Sequence, residues 1–397
     1  MAASVPERAG ATRIAYVTTV ALSVRLLFAN QLRHLQAAGF DVTAVSGGGQ
    51  DVDAVFAAGI RHVRVPFTRR MNPVRDLIAT WRLWQLFRRE RFTIVHTHQP
   101  KPGLFGQLAA RLAGVPIVVN TIHGFLFTER STPRRRRTWI LLERLAARCS
   151  DRLFCVSRED AETAVREGIG AAAAVVHIGG GIDVRRFSSE AVDPARLAHL
   201  RAELGLQSSQ RVIGFVGRLV REKGIPELLA AFAKVHLALP GTALLIVGPD
   251  DPDKGDAMSH AAVIGACPGL RVICAGYRHD MPDLYALMDV FVLPSHREGL
   301  PQTLMEAAAM GVPAVATDVR GCREIVVDGE TGLVVPPGNA PALAAALVRI
   351  LRNPAEAAAL GRQAVVRARA HYDERTVFRR LEAIYVDLLA ARTRRGP

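Results

Sequence analysis

Two glutamates stand close together near residue 300, in a stretch that combines a loop with a helix. Glu298 lies in a run containing glycine and proline (296–301), and Glu306 follows eight positions later among Ala, Leu and Met residues typical of a helix. Eight residues span a little over two helical turns, so the two side chains point in roughly the same direction. The apolar run 290–293 precedes them. This order predicts a strand–loop–helix unit at the carboxyl edge of a parallel sheet, where ligands bind.

Both carboxylates are candidates for binding hydroxyl groups. Acidic side chains accept the hydroxyls of a ribose in nucleotide-binding α/β folds, so Glu306 is a candidate ribose ligand and Glu298 a candidate sugar ligand. The alternative for Glu306 is a solvent-facing helix position. However, its neighbours are apolar or small, and a carboxylate buried without a partner is costly.

Two basic residues form a candidate anion site in the run GFVGRLVREKG (214–224). Gly217 allows a ligand to approach the backbone, and Arg218 and Lys223 can meet phosphate oxygens at the start of the following helix. The alternative is a surface turn with solvated charges. His123, in NTIHGF (120–125), follows a predicted strand and is a further candidate. Its alternative is a structural histidine.

Other motifs carry little weight. Asp51-Val52-Asp53 and Asp251-Pro252-Asp253 have the form of a metal-binding DxD, but about one such pair is expected by chance in a chain of this composition. Zinc-type Cys/His spacing and a Walker loop are absent, and the five cysteines lack close pairs. We therefore expect no metal site, and thiols kept in a reducing cytoplasm.

Strand-like and helix-like runs alternate along all 397 residues, which predicts two parallel, doubly wound domains. We place the first at 1–190 and the second at 191–375, with a polar, alanine-rich hinge at 188–210. A last amphipathic helix, within 376–397, is expected to cross back to the first domain. Apolar runs are too short for a membrane span, and the start of the chain lacks the apolar segment of a secretory signal.

Basic charge is concentrated in the first half. Residues 1–190 hold 27 Lys and Arg against 15 Asp and Glu, and the whole chain has a net charge of +14. In one cluster, RLWQLFRRER (82–91), large apolar side chains alternate with arginines; a second is Arg134–Arg137. This pattern suits a helix lying on an anionic membrane surface, and equally a solvated basic helix packed by its aromatics. No nucleic-acid-binding motif accompanies the charge, so no nucleic acid is expected as a partner.

Taken together, the runs GRLVREKG (217–224) and 276–338 resemble the retaining glycosyltransferase family 4 of GT-B fold. The two glutamates fall on that family's Glu–seven residues–Glu motif. The resemblance extends less tightly to the whole chain, where NTIHGF and HIGGGID (177–183) are similar to members that act on bacterial surface glycans. It implies an α/β fold with two Rossmann-like domains facing each other across a cleft.

The resemblance also implies roles for individual residues. Arg218 and Lys223 would hold the donor diphosphate and stabilise the charge of the leaving group. Glu306 would bind the ribose, and Glu298 the donor sugar. His123 would lie beside the transferred sugar. The donor site would be completed by backbone groups of the neighbouring residues Gly217, Gly299 and Leu300.

The function implied is transfer of a hexosyl or N-acetylhexosaminyl group, with retention, from a UDP-sugar to a hydroxyl of a lipid-linked or polysaccharide acceptor. The enzyme would be cytoplasmic and peripheral at the inner face of the plasma membrane. It would need no metal and no cofactor besides the nucleotide sugar. Two alternatives stay open: a UDP-sugar epimerase of the same fold, and a non-catalytic protein that binds membranes or nucleic acid through its basic half.

Overall fold

The computed structural model describes residues 10–49, 51–67, 72–98, 101–129, 131–251 and 254–394. The chain divides into two compact units, one formed by Met1–Gly179 with Thr376–Pro397 and the other by Gly180–Arg375. The predicted boundary at 190 lies later than this division. Residues after Gly180 join the second unit because the Ile182 N–H bonds to the Tyr372 carbonyl, and Phe187 packs in the second core.

Among the described residues, the first unit contains a seven-stranded parallel sheet with the order β3-β2-β1-β4-β5-β6-β7. Its strands are rich in Val and Ile and mostly buried, as expected for a sheet covered on both faces. The strands are β1 (Arg13–Val20), β2 (Asp41–Gly47), β3 (Arg61–Arg64), β4 (Ile94–His98), β5 (Ile117–Ile122), β6 (Arg152–Cys155) and β7 (Val175–His177).

Helices connect these strands. Asn72 caps the longest connecting helix by accepting a hydrogen bond from the Arg75 N–H, and Ser157 caps another by accepting from the Asp160 N–H. The helices are α1 (Ala21–Ser23), α2 (Ala29–Ala37), α3 (Val52–Ala57), α4 (Pro73–Glu90), α5 (Gln107–Leu112), α6 (Pro133–Ala147) and α7 (Arg158–Arg166), with π-helical turns at Val24–Phe28 and Pro102–Gly106.

The second unit contains, within its described residues, a six-stranded parallel sheet with the order β10-β9-β8-β11-β12-β13. The prediction of two parallel α/β domains is therefore confirmed. The strands are β8 (Arg211–Val216), β9 (Thr242–Val247), β10 (Val272–Gly276), β11 (Val290–Leu293), β12 (Ala314–Thr317) and β13 (Gly332–Val335).

The helices of the second unit enclose its core. They are α8 (Pro194–Glu203), α9 (Ile225–Ala238), α10 (His260–Gly265), α11 (Met281–Ala286), α12 (Gln302–Ala309), α13 (Cys322–Ile325), α14 (Ala340–Arg352) and α15 (Pro354–His371). Short 3-10 turns lie at Ser189–Ala191 and Arg221–Lys223. The final helix, α16 (Glu374–Arg394), belongs to the first unit from Thr376 onwards, where its Glu382 carboxylate lies 2.8 Å from the His34 ring.

One local prediction was wrong. The hinge expected at 188–210 is instead a 3-10 turn followed by helix α8. Asp193 caps α8 through the Ala195 N–H, and Leu200 and Leu206 are buried in the second core. The alanines of this segment therefore serve as helix formers. None of the helices in the described ranges has the length and apolar character needed to cross a lipid bilayer.

Candidate functional site

The two loops that carry most of the predicted residues meet at the point where the strand order of the second sheet reverses. Strands β8 and β11 are hydrogen-bonded neighbours, although β9 and β10 intervene in the chain. The loop after β8 (217–224) and the loop after β11 (294–301) therefore leave the same edge side by side. In open parallel sheets, ligands bind at this switch point.

Gly224 allows the two loops to approach closely. Its φ of +74° lies in the left-handed region, and a Cβ at this position would stand 2.0 Å from the Pro294 carbonyl oxygen. No other residue type fits there without moving the backbone. Helix α9 begins immediately afterwards at Ile225, with Pro226 in its first turn. The N-terminus of α9 is thereby fixed beside the loop that carries Glu298.

An ion pair joins the loops. The Lys223 ammonium lies 2.5 Å from Glu298 Oε1, and the Ser295 hydroxyl donates to the same oxygen at 2.6 Å. Only 9% of the Glu298 side chain is exposed. Ser295 is itself held, because the Thr317 hydroxyl donates to its carbonyl at 2.5 Å. The Glu298 carboxylate is thus held by Lys223, in the loop after β8, and by Ser295, in the loop after β11.

Two further contacts join the same loops. The His296 ring lies 3.1 Å from the Glu227 carboxylate, and Arg297 pairs with Glu222 at 2.6 Å. These partners are half-buried or exposed, so each contact contributes little stability by itself. Together they keep the loop after β11 in register with the start of α9.

The turn after β12 supports Gly299 and Leu300 from the other side. Gly321 has a φ of +74°, and a Cβ there would stand 1.9 Å from the Gly299 carbonyl oxygen. Helix α12 starts at Gln302, directly after this loop. The amide groups of its first turn carry the positive end of the helix dipole, which favours an anionic or hydroxyl ligand at this edge.

Glu306 lies on α12 and is half-buried rather than solvent-facing. Its Oε2 accepts a 2.7 Å hydrogen bond from the Tyr285 hydroxyl. Burial raises the pKa of Glu306, although the Tyr285 hydrogen bond and the Arg186 charge act in the opposite direction. Burial and the nearby Glu306 carboxylate raise the pKa of Tyr285, so its hydroxyl stays a donor. One carboxylate edge is therefore occupied, while the group remains able to accept further hydrogen bonds.

Arg218 stands at the start of the loop after β8. Its guanidinium pairs with the buried Asp251 carboxylate at 2.9 Å, and the Gly217 N–H donates to the Val247 carbonyl. The loop after β8 is thus attached to the loop after β9 as well as to that after β11. Arg218 remains 40% exposed, so it can contact an anion while Asp251 holds it.

The structure places Glu298 and Lys223 in direct contact and carries Arg218, Glu306, Gly299 and Leu300 on loops and a helix of the same unit. His123 belongs to the first unit, where it follows β5. It joins a row of three stacked imidazoles: His98 Nδ1 lies 2.9 Å from His123 Nε2, and the His96 ring stacks on His98 at 4.3 Å. Burial lowers the pKa of His123 to about 4, so this ring is neutral at neutral pH.

His96, at one end of the row of imidazoles, has a hydrogen-bond partner for each of its ring nitrogens. His98, in the middle of the row, has a partner for Nδ1. His96 bonds to the Thr121 hydroxyl at 2.6 Å and to the Tyr385 hydroxyl of α16 at 2.5 Å. Within the described residues, His98 Nε2 is buried without a hydrogen-bond partner. Burial, then the neighbouring imidazoles, hold the pKa of His98 well below its usual value.

Four residues of these arrangements were missed by the reasoning from sequence: Tyr285, Ser295, His98 and Asp251. The alternation HTH at 96–98 places two histidines on one face of a strand, and this pattern is the signal that could have identified His98.

Asp251 belongs to one of the two DxD patterns. It pairs with Arg218, Asp51 pairs with Arg25 at 2.7 Å, and Pro252 and Asp253 lie outside the described residues. In the part of the chain that is described, no three His, Cys, Asp or Glu residues cluster as metal ligands.

Comparison with known families agrees with the division into two units. Residues 210–353 match the family described as glycosyl transferases group 1. Residues 24–179 match the glycosyl transferase 4-like domain. The first match contains the loops that carry Arg218, Lys223 and Glu298, and the second contains His123.

Two curated relatives cover most of the chain. One is the UDP-Gal:alpha-D-GlcNAc-diphosphoundecaprenol alpha-1,3-galactosyltransferase of Escherichia coli, 31% identical over 317 residues, which are 78% of this chain and 80% of the relative. Another is the capsular polysaccharide biosynthesis glycosyltransferase CapM of Staphylococcus aureus, 27% identical over 374 residues, which are 94% of this chain and 96% of the relative.

Solved structures show the same architecture. The chain superposes on HepE of Anabaena, crystallised with UDP and glucose, with a TM-score of 0.80 and 20% identity over 95% of this chain and 100% of that one. The sucrose-phosphate synthase of Thermosynechococcus elongatus gives a TM-score of 0.80 with 24% identity, over 96% of this chain and 100% of that one. At these identities the likeness concerns the fold. With the family matches and the Escherichia coli relative, it shows that the chain is a glycosyltransferase of GT-B fold and belongs to the group 1 glycosyltransferases.

Proposed function

We propose that the enzyme transfers a sugar from a nucleotide sugar, UDP-linked, to a hydroxyl of a lipid-linked or polysaccharide acceptor, with retention of the anomeric configuration. The observation that carries this proposal is the contact of Lys223 with Glu298 at the switch point of the second sheet. A cation and a carboxylate held side by side match the two ends of a nucleotide sugar, because the diphosphate is anionic and the sugar carries hydroxyl donors.

Each residue has a role in this scheme. Lys223 and Arg218 contact the diphosphate. Glu298 accepts hydroxyl protons of the sugar, assisted by the backbone of Gly299–Leu300. Glu306, with one edge occupied by Tyr285, accepts the ribose hydroxyls through the other. Arg218 and Lys223 are both held by carboxylates before the donor arrives, and the diphosphate takes over Lys223 from Glu298 as it binds.

The reaction exchanges one bond at the anomeric carbon for another. The bond from that carbon to the diphosphate oxygen breaks, and the acceptor oxygen forms its bond on the same face of the sugar. The acceptor proton passes to the departing diphosphate, so the products are the glycoside and the nucleoside diphosphate. Negative charge grows on the leaving oxygen, and Lys223 and Arg218 stabilise it. His123, being neutral, can donate to or accept from a hydroxyl of the transferred sugar.

The relatives support the substrate class. The Escherichia coli enzyme is named for a UDP-sugar donor and a diphosphoundecaprenol acceptor, and the Staphylococcus aureus protein for capsular polysaccharide biosynthesis. By analogy, the proposed donor carries a hexosyl or N-acetylhexosaminyl group. The proposed place of action is the cytoplasmic face of the plasma membrane, where nucleotide sugars and lipid-linked acceptors meet.

A transfer assay tests the proposal. Purified protein is incubated with a membrane extract and radiolabelled UDP-galactose, UDP-glucose, UDP-N-acetylglucosamine or UDP-N-acetylgalactosamine, with GDP-mannose as a further donor. Label entering the lipid or polysaccharide fraction with one UDP-sugar supports it, and NMR of the product should show the donor's anomeric configuration. Isomerised UDP-sugar without transfer would instead favour an epimerase, and transfer from GDP-mannose alone would overturn the choice of nucleotide.

A further inference from the structure

Helices α4, α5 and α6 of the first unit form one layer on one side of its sheet. They follow β3, β4 and β5, and each leads to the next strand in the same direction across the sheet. Right-handed crossovers therefore put all three on one face. Helix α5 packs against both α4 and α6, and the Trp84 indole N–H donates to the Leu112 carbonyl at 3.3 Å. The solvent side of these three helices is called the outer face below.

Helix α4 is apolar on two opposite sides. One side carries buried residues such as Ala79, Leu83 and Phe87 and packs in the core. On the opposite side, large apolar side chains are 44% to 71% exposed. They recur at the spacing i, i+3, i+4, i+7, which makes a single stripe: Val74, Leu77, Ile78 and Trp81. A helix that only packs on its own core has no need for this second stripe.

The neighbouring helices continue the stripe. Leu108 and Leu112 of α5 are exposed. On α6, Leu141, Leu142 and Leu145 are exposed, while Ile140, Glu143 and Ala146 face inward. The outer face therefore presents apolar side chains from three adjacent helices. Exposed apolar side chains gathered on the solvent side of adjacent helices favour an interaction site.

On these three helices the acidic side chains are buried, whereas many arginines are exposed. The acidic residues of α4, α5 and α6 are Asp76, Glu90 and Glu143, and all three are buried. Exposed arginines surround the apolar residues, among them Arg75, Arg82, Arg88 and Arg134, Arg135 and Arg137. The Arg82 and Arg88 guanidinium groups lie over the rings of Trp81 and Trp84, at 5.4 and 5.3 Å. These cation–π contacts place positive charge directly beside the aromatic side chains of the outer face.

A depression beside α4 adds a place for an anionic group. It has a volume of about 360 Å³ and lies between β3 and α4, where its lining includes Arg64, Arg82 and Arg89. Arg89 also pairs with Glu90 at 2.9 Å. The guanidinium groups of Arg64 and Arg82, both exposed, favour a phosphate-bearing ligand. The depression adjoins the apolar stripe through Arg82, which follows Trp81 in the chain.

We infer that the outer face docks onto the surface of an anionic lipid bilayer. Its leucines and Trp81 would enter the boundary between headgroups and acyl chains, and its arginines would contact lipid phosphates. Charge complementarity selects this occupant. Two copies of the face would bring like-charged arginines together, whereas an anionic bilayer offers apolar depth and negative charge to the same surface. This inference concerns a surface separate from the residues of the proposed reaction and does not depend on it.

Co-sedimentation of the full chain with vesicles tests the inference. Vesicles of phosphatidylglycerol and phosphatidylcholine are compared with pure phosphatidylcholine, at low and at high salt. Binding is expected to the anionic vesicles and to fall with salt. Leu77→Glu with Trp81→Glu, and separately Arg134→Glu with Arg135→Glu, should each weaken it by roughly tenfold or more. Leu237→Glu, at an 83% exposed leucine of α9 in the second unit, is the matched control and should bind normally.

Circular dichroism and UDP titration of each variant show whether it is folded. If wild type ignores anionic vesicles, or folded Leu77→Glu/Trp81→Glu binds them like wild type, the inference is wrong. Sedimentation velocity tests whether a second copy of the chain occupies the outer face instead. If wild type forms a dimer but does not bind vesicles, and Leu77→Glu/Trp81→Glu abolishes the dimer, the outer face is a self-association face. Failure of sugar transfer with vesicle binding intact would count only against the proposed reaction.

Discussion

Lys223 Nζ lies 2.5 Å from Glu298 Oε1, and this contact joins two loops that are 75 positions apart in the sequence. Ser295 donates to the same carboxylate oxygen. Without donor, the cation is therefore neutralised by the carboxylate proposed to bind the sugar. A diphosphate would take over the ammonium, which would release Glu298 to accept sugar hydroxyls.

Glu298→Gln should separate nucleotide binding from sugar transfer. Glutamine keeps the size of the side chain and can still accept from Ser295, but it removes the charge that competes for Lys223. UDP affinity should stay the same or increase. The value of kcat/KM for transfer should fall by roughly ten- to 100-fold, which corresponds to the loss of a charged hydrogen bond.

Glu227→Gln is the matched control for this substitution. Glu227 also bridges the two loops, through His296, but has no proposed contact with the donor. It should leave both UDP affinity and kcat/KM close to wild type. Equal losses in the two variants would mean that Glu298 acts only by holding the loops together.

Glu306→Gln should change the dependence of stability on pH. Burial raises the pKa of Glu306 above its ordinary value of 4.5, so between these two values the folded protein binds more protons than the unfolded chain. The free energy of unfolding then decreases as pH rises through this window. Glu306→Gln lacks this decrease. From acid pH upwards, its free energy of unfolding should therefore fall less than that of wild type. Urea unfolding of both proteins from pH 4 to pH 8 measures the difference, and parallel curves would contradict the assigned burial.

His98→Phe should flatten the acid limb of the stability curve. The folded protein keeps His98 neutral well below the ordinary histidine pKa of 6.5, while the unfolded chain takes up a proton there. Stability is therefore lost as pH falls below about 6.5. Removing one such site should reduce the slope by up to about 1.4 kcal/mol per pH unit. A slope that His98→Phe leaves unchanged, in a variant that circular dichroism shows to be folded, would refute the explanation.

Chelation should leave transfer unaffected. Arg218 and Lys223 supply two positive charges for the diphosphate, which is the role a divalent cation plays in other transferases. Activity measured after dialysis against EDTA should equal that of the untreated enzyme. A loss that added Mg²⁺ or Mn²⁺ restores would show that these two residues do not suffice.

Part of this site can be predicted from sequence because the residues concerned lie close together along the chain. The helix carrying Glu306 and the loop carrying Glu298 follow from spacing and turn residues within 20 positions of each other. The apolar neighbours of Glu306 also indicated that it needs a partner. Its partner Tyr285 lies on another helix, and a sequence contains no local signal for that contact.

Contacts between loops depend on strand order, which local periodicity does not encode. The pairing of Lys223 with Glu298 exists because β8 and β11 are neighbours, and that of Arg218 with Asp251 because β8 also pairs with β9. For the same reason, the sequence around Asp251 does not reveal that its carboxylate pairs with Arg218. In 188–210, the polar composition suggested a hinge, but the buried face of α8 overrode it.

The most direct measurement is calorimetric titration of UDP into wild type, Lys223→Ala and Glu306→Ala. The proposed site requires Lys223 to contact the diphosphate and Glu306 the ribose. Each variant should therefore lose roughly 1.5–3 kcal/mol of binding free energy. Lys234→Ala, at an exposed lysine of helix α9, should bind UDP like wild type. Unchanged UDP affinity in both Lys223→Ala and Glu306→Ala would contradict the placement of the donor at this sheet edge.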